Sequence, residues 1–425
     1  MRNRIRVYYR RRRTPAFVFQ AIDGLKQMDE ACLGDTATRS LLYPLFDHLI
    51  DGSPKDRVWI DAIGQIYFQP FGLYNADNPT YFSFNVDTVS DIKHRNPALA
   101  KASFHTVRTA EPRPYLIING TMIGPTALSP FHTEPVVNIQ YTPIYVGVPH
   151  AMQVTYHAVA RSAQQTLWTG GGFVEPFSYG GPASVEAPQN NLVSLPMPPP
   201  LWTLADASGI SSEAFAGFAE QKHLDGLIDE IDKLVPKTGY WPVKTTGTSE
   251  TTNFSFGDGG MMENYGLIPL WQRKVETIIV FVKTVSPLNT NAGPDERSKG
   301  SGIDAYLPPF IGYPVQSPGT FTGHNQVFAA SDFAAVTHKL QTAKKAGQPV
   351  TTTTEHTVQR NDWWGIEGGL QVQVTWCHLD RGSAWECQLA TDIRDAINRG
   401  IIIFCCMVRS AIFPTTRPCW KTVLN

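Results

Sequence analysis

No stretch of this sequence is long and apolar enough to cross a bilayer. The longest uninterrupted apolar run, Ile401–Val408, is Ile-Ile-Ile-Phe-Cys-Cys-Met-Val. A spanning helix needs about 20 such residues, so this run reads as a buried strand. The charged N-terminus is not followed by the apolar core of a secretory leader. Cysteine is scarce: Cys32, Cys377, Cys387, Cys405, Cys406 and Cys419 include no C-x-x-C pair. Neither a disulfide framework nor a zinc site has a spacing to build on, and the thiols read as reduced in a cytoplasmic protein. Charge is also low, at 17% of residues with a formal net of −1, which argues against a general nucleic-acid binder. There is no internal repeat and no EF-hand loop.

What is present is ample material for a core: 425 residues, 42% hydrophobic and 11% aromatic. Glycine (34) and proline (32) are abundant, which fits an irregular, loop-rich domain better than a helical bundle. One part differs from the rest. Met1–Arg13 holds seven arginines, ending in Arg10-Arg11-Arg12-Arg13. This lead reads either as a solvated tail or as a contact to phosphate or an anionic membrane surface. Residues 1–16 are taken as a basic, disordered lead and 17–425 as the folded body.

Along the body, apolar spacing predicts helices over Ala21–Ala31, Thr38–Ile50 and Trp59–Phe68. Tyr115–Gly120 is predicted as a strand ended by Asn119-Gly120, and Val136–Val148 as the next strand. Residues 170–200 read as loop. A helix is predicted from Ser211 or Ser212, as its N-cap, to Pro236. Then come Asn253–Phe256, the turn Gly257-Asp258-Gly259-Gly260, a helix from Glu263 to Lys274 and the strand Thr277–Val282. Strand, glycine turn, helix and strand in succession predict a βαβ unit over 251–283 in a parallel sheet. Further on, Phe333–Ala346 reads as a helix, Thr351–Thr354 as a loop, Leu370–Trp376 as a strand and Asp392–Arg399 as a helix.

Asp258 carries the strongest chemical signal. It leaves a strand and runs into two glycines, which permit a sharp turn and the close approach of a substrate. A carboxylate at the carboxyl end of a strand can orient or deprotonate a nucleophile. It can equally cap the helix that follows near Glu263. Gly170-Gly171-Gly172 could donate amides to an oxyanion, or could be a plain turn. His132-Thr133-Glu134 and Cys377-His378 lack partners at metal-ligand spacing, so no metal or other cofactor is expected.

The wider window Asp258-Gly259-Gly260-Met261-Met262-Glu263-Asn264-Tyr265-Gly266-Leu267, with Leu270, Arg273-Lys274 and Ile278–Phe281 behind it, resembles the D-G-G-x-x-E-N-x-G segment of patatin-like and cytosolic phospholipase A2-like acyl hydrolases. Arg113–Thr121, Tyr141-Thr142-Pro143, Gly170–Phe177 and Gly209–Ser212 are similar to the same group, so the resemblance spans roughly Trp59 to Trp376. It implies an α/β fold with a central, mostly parallel sheet and helices on both faces. It also implies a Ser-Asp dyad in which Asp258 is the base, with Gly259 and Gly260 as turn glycines.

The sequence departs from that family in one respect: no serine stands in a G-x-S-x-G frame. Ser178 is followed by Tyr179-Gly180-Gly181-Pro182, and Gly209-Ile210-Ser211-Ser212-Glu213 lacks the second glycine. The expectation is therefore an acyl-hydrolase-like domain incomplete at the nucleophile end. It would act on phospholipid or lysophospholipid esters, meeting the membrane surface peripherally from the cytoplasm. The alternative is a catalytically inactive homologue or fragment that binds lipid or a protein partner. A third reading, a basic-tailed binder of nucleic acid or membranes, rests on Arg10–Arg13 alone.

Overall fold

The computed structural model describes residues 55–395, apart from 213–231 and shorter stretches at 108–113, 130–134, 159–161, 187–188, 190–191, 196–200, 244–248, 283–286, 314–320, 392–393 and a few single positions. The arginine lead, the helices expected at 21–50, most of the helices expected at 211–236 and 392–399, His132-Thr133-Glu134 and the run Ile401–Val408 lie outside the described residues.

Thirteen strands are described. They are β1 (Tyr81–Ser83), β2 (Phe104–Thr106), β3 (Ile118–Pro125), β4 (Val137–Tyr141), β5 (Val146–Val148), β6 (Met152–His157), β7 (Gln164–Thr169), β8 (Gly172–Val174), β9 (Lys237–Tyr240), β10 (Thr252–Asp258), β11 (Thr277–Val282), β12 (Thr351–Thr357) and β13 (Gln371–His378). The principal helices are α1 (Val58–Ile63), α2 (Val86–Arg95), α3 (Leu204–Ser211), α4 (Ile268–Gln272) and α5 (Asp332–Lys345).

The largest sheet has six strands in the order β8-β5-β4-β3-β10-β9, and every pairing in it is antiparallel. A second sheet has the order β11-β13-β12, with β11 and β13 parallel. The fold is mixed α/β, as the sequence predicts. The direction of the main sheet is not the expected one: β10 and β11 belong to different sheets, so residues 251–283 do not form a βαβ unit. The reason is geometric. Residues 259–276 separate the two strands, and apart from the short turn Gly259–Met261 their one helix is α4, five residues long, which rises about 7.5 Å at 1.5 Å per residue. A crossover must travel back the whole length of a strand before a parallel neighbour can start. Lys274, at φ 57°, ends the helix instead.

The six-stranded sheet curls until its two edges meet. Beside β8, Gly170 N donates to the Tyr240 hydroxyl of β9 at 2.7 Å. A side chain on Gly172 would lie 3.1 Å from Val243, and one on Gly239 would lie 3.1 Å from the Gly180 carbonyl. Glycines thus line a seam that side chains would hold open. On the sheet itself α3 packs over β3 and β10, and Gly209 brings it within touching distance of Ile60 in α1.

Two apolar cores result. One gathers Met122, Val137, Ile139, Tyr141, Phe254 and Phe256 inside the curled sheet. The other gathers Met262, Trp271, Phe310, Phe328, Val374 and Trp376 around the second sheet and α5. The chain passes from the first core to the second between Phe256 and Met262, and Asp258 stands at that crossing.

Other local expectations meet the structure unevenly. The helices expected at 59–68 and 333–346 and the strands at 277–282 and 370–376 are present. Asn119-Gly120 lies inside β3 instead of ending it, because both residues pair with β4. Thr351–Thr354 is strand, its threonines alternating against β13. Ser211 closes α3 instead of opening a helix. The cap is Thr203, in a capping box with Asp206.

Two substitutions test the seam. Gly170 has φ +76°, and a Cβ there would overlap the His150 carbonyl, so Gly170→Ala should lower the urea midpoint strongly. Tyr240→Phe leaves the buried Gly170 N–H without its partner and should cost about 1–3 kcal/mol in the same measurement.

Candidate functional site

Asp258 is the last residue of β10, paired in register with Gly120 of β3. Its backbone carbonyl accepts the buried Thr121 hydroxyl at 2.8 Å. Its side chain turns into the following loop and accepts Gly260 N at 2.7 Å, capping the short turn Gly259–Met261. Asp258 thus caps this turn and not the helix expected near Glu263, since the next helix, α4, begins at Ile268. Capping does not exhaust the residue, because the carboxyl is 5% exposed and burial pushes its pKa up to about 7 against the pull of the Gly260 amide. A carboxyl that titrates near neutrality can take up and release a proton at working pH.

The two turn glycines carry the loop past close neighbours. A side chain on Gly259 would lie 2.9 Å from the Asn119 carbonyl, and one on Gly260 would strike the Asn264 side chain. At Gly259 the neighbour is Asn119 backbone from β3 and only hydrogen fits, whereas at Gly260 it is the end of the Asn264 side chain, which can turn aside.

A second carboxyl, Glu263, is 2% exposed. It accepts Tyr265 N at 2.7 Å, Ile268 N at 3.4 Å and Asn119 Nδ2 at 3.3 Å. Burial pushes it up to about 7, opposed by these amides and those of Gly266 and Leu267. The Tyr265 hydroxyl is bonded to Asp304, and Asp304 Oδ1 also accepts Tyr306 N at 3.0 Å. Burial, and then the nearby Asp258 carboxylate, raise the Tyr306 phenol, which also bonds Asn264. The site is thus Asp258 with Gly260 and Tyr306 beside it, and with Asn119, Glu263, Asn264 and Asp304 contacting those neighbours or one another. Glu263 and Asn264 belong to the recognised segment, but the sequence suggested no role for them. Asp304 and Tyr306 were missed: they lie in a Pro/Gly-rich stretch with no periodicity to flag them.

The structure does not bring Gly170-Gly171-Gly172 to Asp258. Gly170 N is taken by Tyr240, which pairs with Thr252 at the far end of β10. The two ends are roughly 20 Å apart at 3.3 Å per residue. Gly170 and Gly171 have φ +76° and +94° and form the turn into the seam, and Gly172 opens β8. Among the described residues, the Asp258 carboxylate takes its hydrogen bond from Gly260 N, with no serine or cysteine side chain bonded to it.

Among the described residues a carboxylate–imidazole–hydroxyl line runs from Asp332 through His356 to Thr354. Asp332 Oδ2 meets His356 Nδ1 at 2.8 Å, and His356 Nε2 meets Thr354 Oγ1 at 2.7 Å. Its hydroxyl end is the buried one: Thr354 also accepts Trp376 Nε1 at 2.9 Å, and His356 stacks on Phe328 at 4.3 Å. No substrate reaches such a hydroxyl, so this line pins α5 to β12. His378, which follows Cys377, is buried without a partner at either ring nitrogen, and burial lowers its pKa to about 4. Among the described residues no three His, Cys, Asp or Glu side chains converge as metal ligands, and Cys377 and Cys387 are free thiols. No described helix is long and apolar enough to cross a membrane.

Comparison with protein-family models, with curated proteins and with solved structures finds no match to this chain.

The buried carboxyls make stability depend on pH. An unfolded Asp titrates near about 3.9, whereas folded Asp258 titrates at about 7. Between these values the folded state keeps a proton that the unfolded state gives up. The stabilisation is complete below about pH 4 and is lost as pH rises through 7. Chemical denaturation from pH 4 to 8 should show stability falling across this window, and Asp258→Asn should flatten the fall and be the more stable form at pH 8.

Proposed function

We propose that this chain is an acyl-hydrolase-like protein of the patatin and cytosolic phospholipase A2 type, in which Asp258 is the acid–base carboxylate for cleavage of phospholipid or lysophospholipid esters. The observation that carries the reading is a carboxyl buried at a strand's end, titrating near 7, inside the sequence segment that resembles the family's aspartate motif. The likeness is claimed for that segment. The sheet around it is antiparallel, so the patatin-like mostly parallel sheet is no part of the support.

In this reading the ionised Asp258 accepts the proton of a serine hydroxyl as the oxygen attacks the ester carbonyl carbon. The tetrahedral intermediate collapses, the alcohol leaves with the proton returned by Asp258, and an acyl-enzyme forms. Water, deprotonated in turn by Asp258, then attacks the acyl carbon, the bond to the serine oxygen breaks, Asp258 returns the proton to that oxygen, and the fatty acid leaves. Burial supports this role because a poorly solvated carboxylate near neutral pKa is a stronger base than a surface one. The serine is not given by any G-x-S-x-G frame in this sequence. The protein would work on a membrane surface, peripherally, on the cytoplasmic side.

A second reading is favoured by a specific observation: among the described residues no serine hydroxyl bonds the Asp258 carboxyl, whose partner is Gly260 N, and Gly170 lies toward the far end of the strand. On that reading the chain is an inactive relative that binds lipid or a protein partner.

The full chain should be assayed with p-nitrophenyl acyl esters and lysophospholipid, alongside labelling by a fluorophosphonate serine probe. Turnover that falls at least about 100-fold in Asp258→Asn, with labelling of a serine, supports the hydrolase. No turnover and no labelling in a folded chain rejects it in favour of the inactive relative.

A further inference from the structure

Glu263 has no role in the chemistry proposed above, yet it is buried more deeply than Asp258. A buried carboxylate is tolerated only where donors surround it, so its partners indicate what it holds in place. Backbone amides from Tyr265 to Ile268 close on it and set the turn that leads into α4. Asn119 Nδ2 reaches it from β3. Asn119 packs its carbonyl against Gly259, and the next residue, Gly120, is the register partner of Asp258. Tyr265, held by Glu263 through its backbone, sends its hydroxyl to Asp304. Asp304 fixes Tyr306 N, and the Tyr306 phenol stands beside Asp258. Two lines of contact therefore leave Glu263, one through Asn119 and one through Tyr265, Asp304 and Tyr306, and both end at Asp258.

We propose that Glu263 is a positioning residue for Asp258, holding β3 on one side and the Tyr306 loop on the other so that the Asp258 carboxyl stays dry and in one orientation. The positioning rests on the acyl-hydrolase reading only for what Asp258 then does. Its test is therefore independent of turnover. The groups that titrate or carry charge around the pair are Asp304, Tyr265 and Tyr306. Both phenols are raised by burial and stay protonated through neutral pH, which among these described groups leaves the Asp304 carboxyl to follow.

The experiment is a carboxyl carbon NMR titration of the full chain labelled at aspartate, with the Asp258 signal assigned by its loss in Asp258→Asn. The wild-type signal should titrate at about 7. In Glu263→Ala water enters and the midpoint should drop toward about 4, the ordinary carboxylate range. Glu263→Gln keeps the side-chain shape and one acceptor oxygen, and should restore part of the difference. Asn119→Ala cuts one of the two lines and should give an intermediate midpoint, and it serves where Glu263→Ala does not fold. A merely structural glutamate would lower the unfolding midpoint and leave Asp258 unmoved. Folded Glu263→Ala or Asn119→Ala with a wild-type Asp258 midpoint overturns the proposal, as does a wild-type Asp258 titrating at about 4. A shifted midpoint in a chain that shows no ester turnover rejects the hydrolase reading and leaves the positioning intact.

Discussion

The constraint on which the rest of the structure depends is the placing of an ionisable carboxyl at the crossing between two apolar cores. Phe254 and Phe256 commit β10 to the first core, and Met262 and Leu267 commit the following turn to the second. The intervening residues must pass through dry surroundings in a few steps. A main chain with no water to bond must find its partners in protein. Thr121 takes up the Asp258 carbonyl, Asp258 takes up the Gly260 amide, and Glu263 takes up the amides before α4. The acidic side chains are thus the internal acceptors that let the backbone turn in the dark, and the cost appears as carboxyl groups held near neutral pKa.

Curling the main sheet is the second condition, and it is met by the absence of side chains. Gly147, Gly170, Gly171, Gly172 and Gly239 stand where β5, β8 and β9 approach, and each would overlap or crowd a neighbour if it carried a Cβ. Without them the edge strands could not meet. This explains why a triplet that looks like an oxyanion loop in the sequence is occupied in the fold: its first amide is already bonded to Tyr240. Glycine runs supply free amides only where the backbone is left facing an open site.

Much of the local structure was legible. The alternation of Thr277–Val282, with its inward Ile278, Val280 and Val282, gives a half-buried strand. The spacing of Phe333, Val336 and Leu340 gives α5. Asp258 was legible as the residue of interest because a carboxylate between a strand and two glycines is locally unusual. Where the reading failed, a long-range partner decided. Asn119-Gly120 has turn composition but is held as strand by β4 and β10 on either side. Thr351–Thr357 has loop-like polarity but finds β13. The strand–turn–helix–strand order at 251–283 suggested a parallel pair, and the shortness of α4 sent its two strands to separate sheets.

By itself the sequence determined the Asp-Gly-Gly turn, the period of β11, β13 and α5 and the lack of any nucleophile-elbow frame. These depend on neighbours in the chain, whose geometry is fixed by backbone sterics and side-chain spacing. Only the tertiary structure decided the direction of the sheets, the closing of the seam and the company that Asp258 keeps. Asn119, Asp304 and Tyr306 reach the site from segments far apart in the chain. Which distant segments meet is settled by which strand edges and apolar faces remain to be covered, and no local pattern records that.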